Sequence, residues 1–194
     1  AKGMIPYTSP YSLRTVGIPQ KDYANRVLEN ADLLICVGYD IVEYAPQRIN
    51  PTRKTPILHI NTMPAHINKY YQTACEVVGN ISDSLHRITL RTHRKQEPTA
   101  ALAIREQLIA EHESYAADAS FPMKPQRVLI DVRKVMRPGD ILLSDVGAHK
   151  MWIARHYNCY KPKTCLISNG FATMGFSLPG ALAAKLVSPD KRVL

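Results

Sequence analysis

One turn in the sequence has the residue types and the spacing to bind a phosphate group. The apolar run at residues 141–146 is short and rich in branched side chains, so it predicts a buried strand. Gly147 then permits a sharp turn, and residues 149–155 predict a helix directly after it. The free N–H groups at the start of such a helix point back at the strand end and attract anions. The turn at Gly147 is therefore a candidate phosphate site.

A second loop dominated by its backbone follows the next predicted strand, residues 164–167. The loop covers residues 168–175 and leads into a helix of small residues. Gly170 and Gly175 permit backbone geometries that other residues resist, and Met174 adds an apolar side chain. Because strands and helices alternate here, we expect both loops at the carboxyl ends of neighbouring parallel strands.

Taken together, the two loops resemble the thiamine-diphosphate enzymes of the acetolactate synthase group. In that family Asp-Val-Gly-x-His-x-Met-Trp precedes Ser-x-Gly-x-x-Thr-Met-Gly-x-x-Leu-Pro, and both motifs occur here in order, at residues 145–152 and 168–179. Their combination is far more specific than either half. The resemblance covers essentially the whole chain, being strongest from Lys124 onward and looser at residues 89–120.

Five residues are implied by the resemblance to contact the cofactor. Gly147, Ala148 and His149 match the turn that binds the cofactor's diphosphate. The carbonyl of Ala172 matches an acceptor for the aminopyrimidine, and Met174 matches the methionine that supports the cofactor in its bent form. For His149 the alternative is a residue that only begins a helix. No catalytic residue or metal ligand is assigned within the chain.

The resemblance places the rest of the cofactor site outside these residues. The family's metal motif, Gly-Asp-Gly with a downstream Asn, is expected right after the strand that opens at residues 191–194, so the Mg²⁺ ligands would lie beyond Leu194. The glutamate that activates the aminopyrimidine belongs to an N-terminal domain. We therefore expect a fragment of a longer enzyme, inactive alone, and a homodimer or homotetramer at full length.

For the intact protein the resemblance implies acetolactate synthase activity. Thiamine diphosphate and Mg²⁺ would support decarboxylation of one pyruvate and its ligation to a second, giving 2-acetolactate and CO2. Two alternatives stay open: another thiamine-diphosphate decarboxylase or carboligase of 2-oxo acids, and a non-catalytic nucleotide-binding module. The residues do not distinguish branched-chain amino acid synthesis from acetoin formation.

The expected fold class is α/β, with a doubly wound parallel-sheet central domain followed by the first part of a thiamine-diphosphate-binding α/β domain. Predicted strands at residues 32–38, 57–61 and 76–79 alternate with helices or loops, which is typical of such a sheet. The predicted divisions are a central domain at residues 1–88, a helical connector at 89–124 and the start of the pyrophosphate-binding domain at 125–194.

The central domain is the basis of the nucleotide-binding alternative. Its first strand ends in Gly38-Tyr39-Asp40, and the Gly-x-Gly-x-x-Gly fingerprint of dinucleotide-binding domains is absent. Flavin-binding members of the resembling family generally have Arg and paired Asp in the loop that matches residues 38–44, and an acidic residue where Asn61 stands. The resemblance is therefore closer to the flavin-independent, catabolic type, and it predicts no bound FAD.

Several residues that could do chemistry are interpreted as structural. His59 lies inside an apolar strand, where a histidine is more often a satisfied core residue than a base. Asp40 and Glu43 form a close carboxylate pair without a partner histidine, so we expect a structural or solvent-exposed pair. Tyr70 and Tyr71 are expected to pack under a loop.

The net charge of +9 raises the possibility of a nucleic-acid partner. Much of the excess lies at Arg87, Arg91, Arg94 and Lys95, without stacking aromatics or a recognised binding motif. We interpret this cluster as a solvated linker face, and expect a small-molecule substrate and no nucleic acid.

The remaining composition favours a cytoplasmic protein without a membrane partner. No apolar run approaches membrane-spanning length, and the start lacks a signal-peptide layout. The scattered cysteines lack metal-binding spacing and fit buried free thiols in a reducing compartment: Cys36, Cys75, Cys159 and Cys165.

Overall fold

The structure, a computed structural model, describes residues 2–17, 22–93 and 99–194. It divides into two compact units, a smaller unit of residues 25–98 and a larger unit of residues 1–24 and 99–194. Both contain parallel strands and helices, which confirms the predicted α/β class. Residues 2–17 cluster with the larger unit, although the sequence groups them with the central domain. The predicted domain boundaries stay a prediction.

The elements of the smaller unit are α1 (Tyr23–Glu29), β1 (Leu34–Val37), α2 (Pro46–Ile49), β2 (Ile57–Asn61), β3 (Thr73–Val78) and α3 (Ile81–Thr89). Its strands form a parallel sheet in the order β1-β2-β3. Ile57 and Ile60 of the central strand are fully buried. β2 has the predicted bounds. β3 begins earlier than predicted, since a shift in register near Ile57 lets Thr73 pair as well.

In the larger unit two short parallel strands carry the predicted loops at their ends. The backbone of the last residues runs along the other side of the first of these strands, where the amide of Leu143 donates to the carbonyl of Leu194 at 2.8 Å. The first strand is therefore flanked on both sides. The elements are α4 (Thr99–Ala116), α5 (Pro125–Val135), β4 (Leu142–Ser144), α6 (Ala148–His156), β5 (Cys165–Ile167) and α7 (Ser177–Val187).

The core of this unit fixes β4, β5 and α6 to one another. Its buried side chains are Leu142, Ile153, Tyr157, Cys159 and Cys165, with Leu129 and Val132 of α5 packed against them. The buried guanidinium of Arg133 donates to the Tyr157 hydroxyl at 2.7 Å and to the carbonyls of Met136 and Arg137. These acceptors fasten the end of α5 to the segment after α6.

Helix α7 lies directly on β4. A Cβ atom added at Gly180 would come within 2.7 Å of Leu143 Cδ2, closer than real side-chain contacts allow. The absent side chain therefore lets the helix approach the strand. The small residues of this helix thus permit close packing against the strand.

Three predictions about composition meet the structure with different results. His86 and Arg87 belong to α3, so the basic cluster begins on a helix and not in a linker, whereas Arg94 and Lys95 lie outside the described residues. All four cysteines are free, but Cys75 is exposed, so the prediction of buried thiols is wrong there. Within the described residues no helix has the length and apolarity needed to cross a membrane.

Candidate functional site

The two predicted loops leave the same edge of the sheet from adjacent strands. β4 and β5 are parallel, and their last residues, Ser144 and Ile167, are direct partners in the register. We call residues 145–147, between β4 and α6, the first loop, and residues 168–176, between β5 and α7, the second loop. Because both begin at paired residues, the sheet itself brings them side by side.

The first loop presents the start of a helix to solvent. Gly147 has φ 143° and ψ −176°, a conformation that is essentially restricted to glycine. Ala148 and His149 follow as the first residues of α6 and are exposed, and no side chain among the described residues caps the helix. The first amides of α6 are thus available to an anion.

The imidazole of His149 folds back over the first loop. A Cβ atom added at Gly147 would lie 3.0 Å from both Nδ1 and Cε1 of the ring, so the ring occupies the space that a side chain there would need. The helix start therefore combines backbone amides with an adjacent ring nitrogen that can also donate to or accept from a ligand.

The second loop holds its backbone in left-handed conformations at three positions. Gly170, Ala172 and Gly175 have φ of 70°, 49° and 86°. For Ala172, which has a Cβ atom, this conformation costs about 1–2 kcal/mol, so the surrounding structure must hold it. Met174 exposes 80% of its surface, and Phe171 is fully exposed. An apolar side chain presented in this way suits contact with a ligand.

The carboxylate of Asp145 joins the two loops. It accepts from the amide of Val146 at 2.8 Å, from the amide of Gly175 at 2.9 and 3.0 Å, and from the hydroxyl of Ser177 at 3.1 Å. The amide of Ser177 lies 3.5 Å away. These donors, led by the Val146 amide, hold the pKa of Asp145 below its usual value, so the group is ionised at neutral pH.

A second contact between the loops comes from Lys150 in the first turn of α6. Its ammonium donates to the carbonyl of Ser168 at 2.6 Å. Asp145 thus holds the end of the second loop, and Lys150 holds its beginning. The residues between them, 169–174, project from these two fixed points.

All five residues predicted to contact a cofactor lie on these two loops or at the start of α6, on one edge of one sheet. Their predicted roles stay predictions. Asp145 and Lys150 were not predicted as residues that bridge the two loops. A usable signal existed for Asp145, since an aspartate directly after a strand and before a glycine is placed to accept from loop amides. Lys150 had no comparable signal.

The residues interpreted as structural are bonded within the smaller unit. His59 is buried, its Nδ1 lies 2.9 Å from the Tyr71 hydroxyl and its Nε2 lies 3.2 Å from the Met63 carbonyl. Tyr71 is buried as well, which confirms its predicted packing role. Asp40 and Glu43 are exposed, and Asp40 accepts from the amide of Val42 at 3.0 Å.

Two family models match the chain. The model described as the thiamine pyrophosphate enzyme, central domain, matches residues 1–88. The model described as the thiamine pyrophosphate enzyme, C-terminal TPP binding domain, matches residues 145–194, the segment that contains both loops.

Curated relatives point to the same enzymes. The chain is 29% identical over 183 residues to the acetolactate synthase of Bacillus subtilis, covering 92% of the chain and 32% of the relative. It is 33% identical over 184 residues to the catabolic acetolactate synthase of Raoultella terrigena, covering 92% and 33%. It is 30% identical over 201 residues to the large subunit of acetolactate synthase isozyme 1 of Escherichia coli, covering 100% and 34%.

The chain therefore spans about a third of the length of these relatives. Within that third, the family models cover residues 1–88, which include most of the smaller unit, and residues 145–194, which include both loops of the larger unit. The chain belongs to the thiamine pyrophosphate enzymes, of which it carries the central domain and a part of the C-terminal domain that binds the cofactor.

Proposed function

We propose that the full-length protein containing this chain is an acetolactate synthase. It would convert two molecules of pyruvate to 2-acetolactate and CO2 with thiamine diphosphate and Mg²⁺. One observation carries the proposal: an uncapped helix start and a constrained loop with an exposed methionine lie together at paired strand ends, in the segment matched to a cofactor-binding domain. The names of the relatives favour acetolactate as the product.

The proposed binding residues fit a molecule with a diphosphate at one end and an aromatic ring at the other. The amides that follow Gly147 suit the diphosphate because they are exposed and lack a capping side chain. The strained backbone at Ala172 offers a carbonyl for a ring amino group. Met174 offers an apolar contact that would lose its exposure on binding.

Thiamine diphosphate, when bound, supplies the electron sink that decarboxylation of a 2-oxo acid requires. The chain's own residues bind and orient it. Ala148 and His149 hold the charged end, and Met174 covers apolar surface and displaces water from it. Within the described residues, no group of three His, Cys, Asp or Glu side chains could hold a metal ion. The ligands of Mg²⁺ are proposed in the part of the enzyme beyond Leu194, where the resemblance places the family's metal motif.

Flavin independence is part of the proposal, as is a homodimeric or homotetrameric, cytoplasmic enzyme. In the smaller unit the loop after β1 is closed by its own side chains, since the Tyr39 hydroxyl donates to the carbonyl of Tyr44. Asn61 donates to the carbonyl of Tyr39 at 3.2 Å. At the position that matches the flavin-binding loop, these carbonyls are therefore bonded to side chains of the protein.

The decisive experiment is an assay of the full-length protein with pyruvate, thiamine diphosphate and Mg²⁺, with and without FAD. The proposal expects 2-acetolactate in both conditions and none without thiamine diphosphate. Product only with FAD would overturn flavin independence. Acetaldehyde as the sole product would favour a decarboxylase, and no turnover of any 2-oxo acid would overturn the catalytic proposal.

A further inference from the structure

We propose that Asp145 is a positioning residue that holds the second loop in the conformation competent to bind the cofactor. The inference rests on the proposed function, because it concerns the same site. It goes beyond the five binding residues, since Asp145 is proposed to act through the second loop and not by touching the cofactor.

The contacts of Asp145 join segments that are distant in the chain. One carboxylate accepts from its own loop through Val146, from the far end of the second loop through Gly175 and from the start of α7 through Ser177. Gly175 and Ser177 are separated from Asp145 by 30 and 32 positions in the chain. A contact between such distant segments fixes their relative position, which sequence-local turns cannot do.

The contacts of Asp145 lie next to the residues that are proposed to bind the cofactor. Gly175 directly follows Met174, and its amide points at both carboxylate oxygens. Because Met174 is exposed and Ala172 has a strained backbone, the second loop has little packing of its own to hold these residues in place. An ionised acceptor gives stronger hydrogen bonds than a neutral one, so Asp145 can supply the missing restraint.

The second loop is held at its other end as well. Lys150 donates to the carbonyl of Ser168, where the loop leaves β5. With both ends fixed to groups around the first loop, the amides at the start of α6 and the side chain of Met174 keep a constant separation. Such preorganisation lowers the entropy that a ligand must remove on binding.

The test measures thiamine diphosphate binding by calorimetry in the full-length protein with Mg²⁺, for the wild type, Asp145→Asn and Asp145→Ala. Loss of a charged acceptor with several donors should weaken binding roughly 10- to 100-fold. The matched control is Asp40→Asn, which removes a carboxylate that accepts a loop amide in the smaller unit and should bind like the wild type. Equal affinity of the Asp145 variants and the wild type would overturn the inference.

A second readout reports on the second loop itself. Chymotrypsin should cut after the fully exposed Phe171, and the rate should rise in the Asp145 variants without cofactor because the loop is less restrained. Thermal melting identifies any variant that fails to fold. Should Asp145→Ala unfold, Asp145→Asn keeps the shape of the side chain and still carries the test.

A milder pair of substitutions separates positioning from general packing. Ser177→Ala removes one donor to Asp145 and should weaken binding severalfold, whereas Ser177→Thr keeps the hydroxyl and should restore the wild-type affinity. Failure of Ser177→Thr to differ from Ser177→Ala would count against the role of this hydrogen bond. If the wild type itself does not bind thiamine diphosphate, the proposed function fails; if it binds and the Asp145 variants bind equally, only this inference fails.

Discussion

The loops after β1 and β4 begin alike and end differently. In each, a parallel strand leads into a glycine with positive φ, 61° at Gly38 and 143° at Gly147. An aspartate lies near each glycine: Asp40 follows Gly38, and Asp145 precedes Gly147. Each carboxylate accepts a hydrogen bond from an amide of its own loop. The difference lies in what occupies the space beyond the strand end.

Beyond β1, tyrosine side chains fill that space. The ring of Tyr39 packs against Tyr71, with centroids 5.0 Å apart, and its hydroxyl donates to the carbonyl of Tyr44. Burial raises the pKa of Tyr39 well above its usual range, so the hydroxyl stays a donor at all physiological pH values. The carbonyls of Tyr39 and Tyr44 and the amide of Val42 in this loop are thus bonded within the unit.

Beyond β4, the space is left open. The amides at the start of α6 lack a capping side chain among the described residues, and the exposed side chains on these segments include His149, Phe171 and Met174. A strand end with a glycine turn is thus insufficient to identify a ligand site. The distinguishing feature is whether the fold satisfies the loop's own polar groups.

The strongest way to sharpen this contrast is to add one methyl group at each glycine. Gly147→Ala forces a conformation that costs roughly 1–3 kcal/mol and places Cβ against the His149 ring, so we expect turnover to fall by about 100-fold or more. The measurement is the dependence of 2-acetolactate formation on thiamine diphosphate concentration.

Gly38→Ala is the matched control for that substitution. Among the residues that the structure describes, its Cβ would meet only Ile81, at 3.5 Å, and φ near 61° costs about 1–2 kcal/mol for an alanine. We expect a lower unfolding free energy with normal cofactor affinity. Equal losses of cofactor affinity in both variants would contradict the proposed difference between the two loops.

The exposed methionine gives the next largest effect. Met174→Ala should reduce turnover about tenfold, the value of one lost apolar contact, with the unfolding free energy unchanged within about 0.5 kcal/mol because the side chain is exposed. Steady-state kinetics and urea denaturation check both parts. Met63→Ala, an exposed methionine of the smaller unit, should leave turnover unchanged. Unchanged turnover in Met174→Ala would remove this residue from the proposed site.

A further substitution tests the loop after β1, which its own side chains close. Tyr39→Phe deletes the hydroxyl that donates to Tyr44 and should lower the unfolding free energy by about 1 kcal/mol, with no effect on turnover. Tyr70→Phe is the control, because that hydroxyl makes no hydrogen bond within the residues the structure describes. Denaturant titrations of both variants provide the measurement. A loss of activity in Tyr39→Phe would assign the closed loop a part in the active site.

The smallest predicted effect is a dependence on pH. The pKa of Asp145 is lower in the folded protein than its ordinary value of 3.8, so this carboxylate stabilises the fold above that value and loses its contribution as pH falls through the lowered pKa. The difference in melting temperature between the wild type and Asp145→Asn should therefore persist from neutral pH to about pH 4 and shrink only below it. A difference that disappears above pH 5 would contradict this sign.

Much of the framework could be predicted from the sequence. Apolar runs located the strands, and the two motifs located the loops, because both signals are local. The start of β3 was missed because its pairing depends on a register shift near Ile57. The link from Asp145 to Gly175 was missed for a similar reason, since the alignment of Ser144 with Ile167 decides which loop residues face each other. Neither the shift nor the alignment is a property of one segment.

Position 180 has a consequence for how this site could diverge or be engineered. Because a Cβ atom at residue 180 would come within 2.7 Å of Leu143 Cδ2, a side chain there would push on both Leu143 and α7. Any displacement of α7 would move its first residue, Ser177, which is bonded to Asp145. Side chains of increasing size at one site behind the sheet edge could therefore tune the second loop in steps, while every residue that faces the ligand keeps its identity.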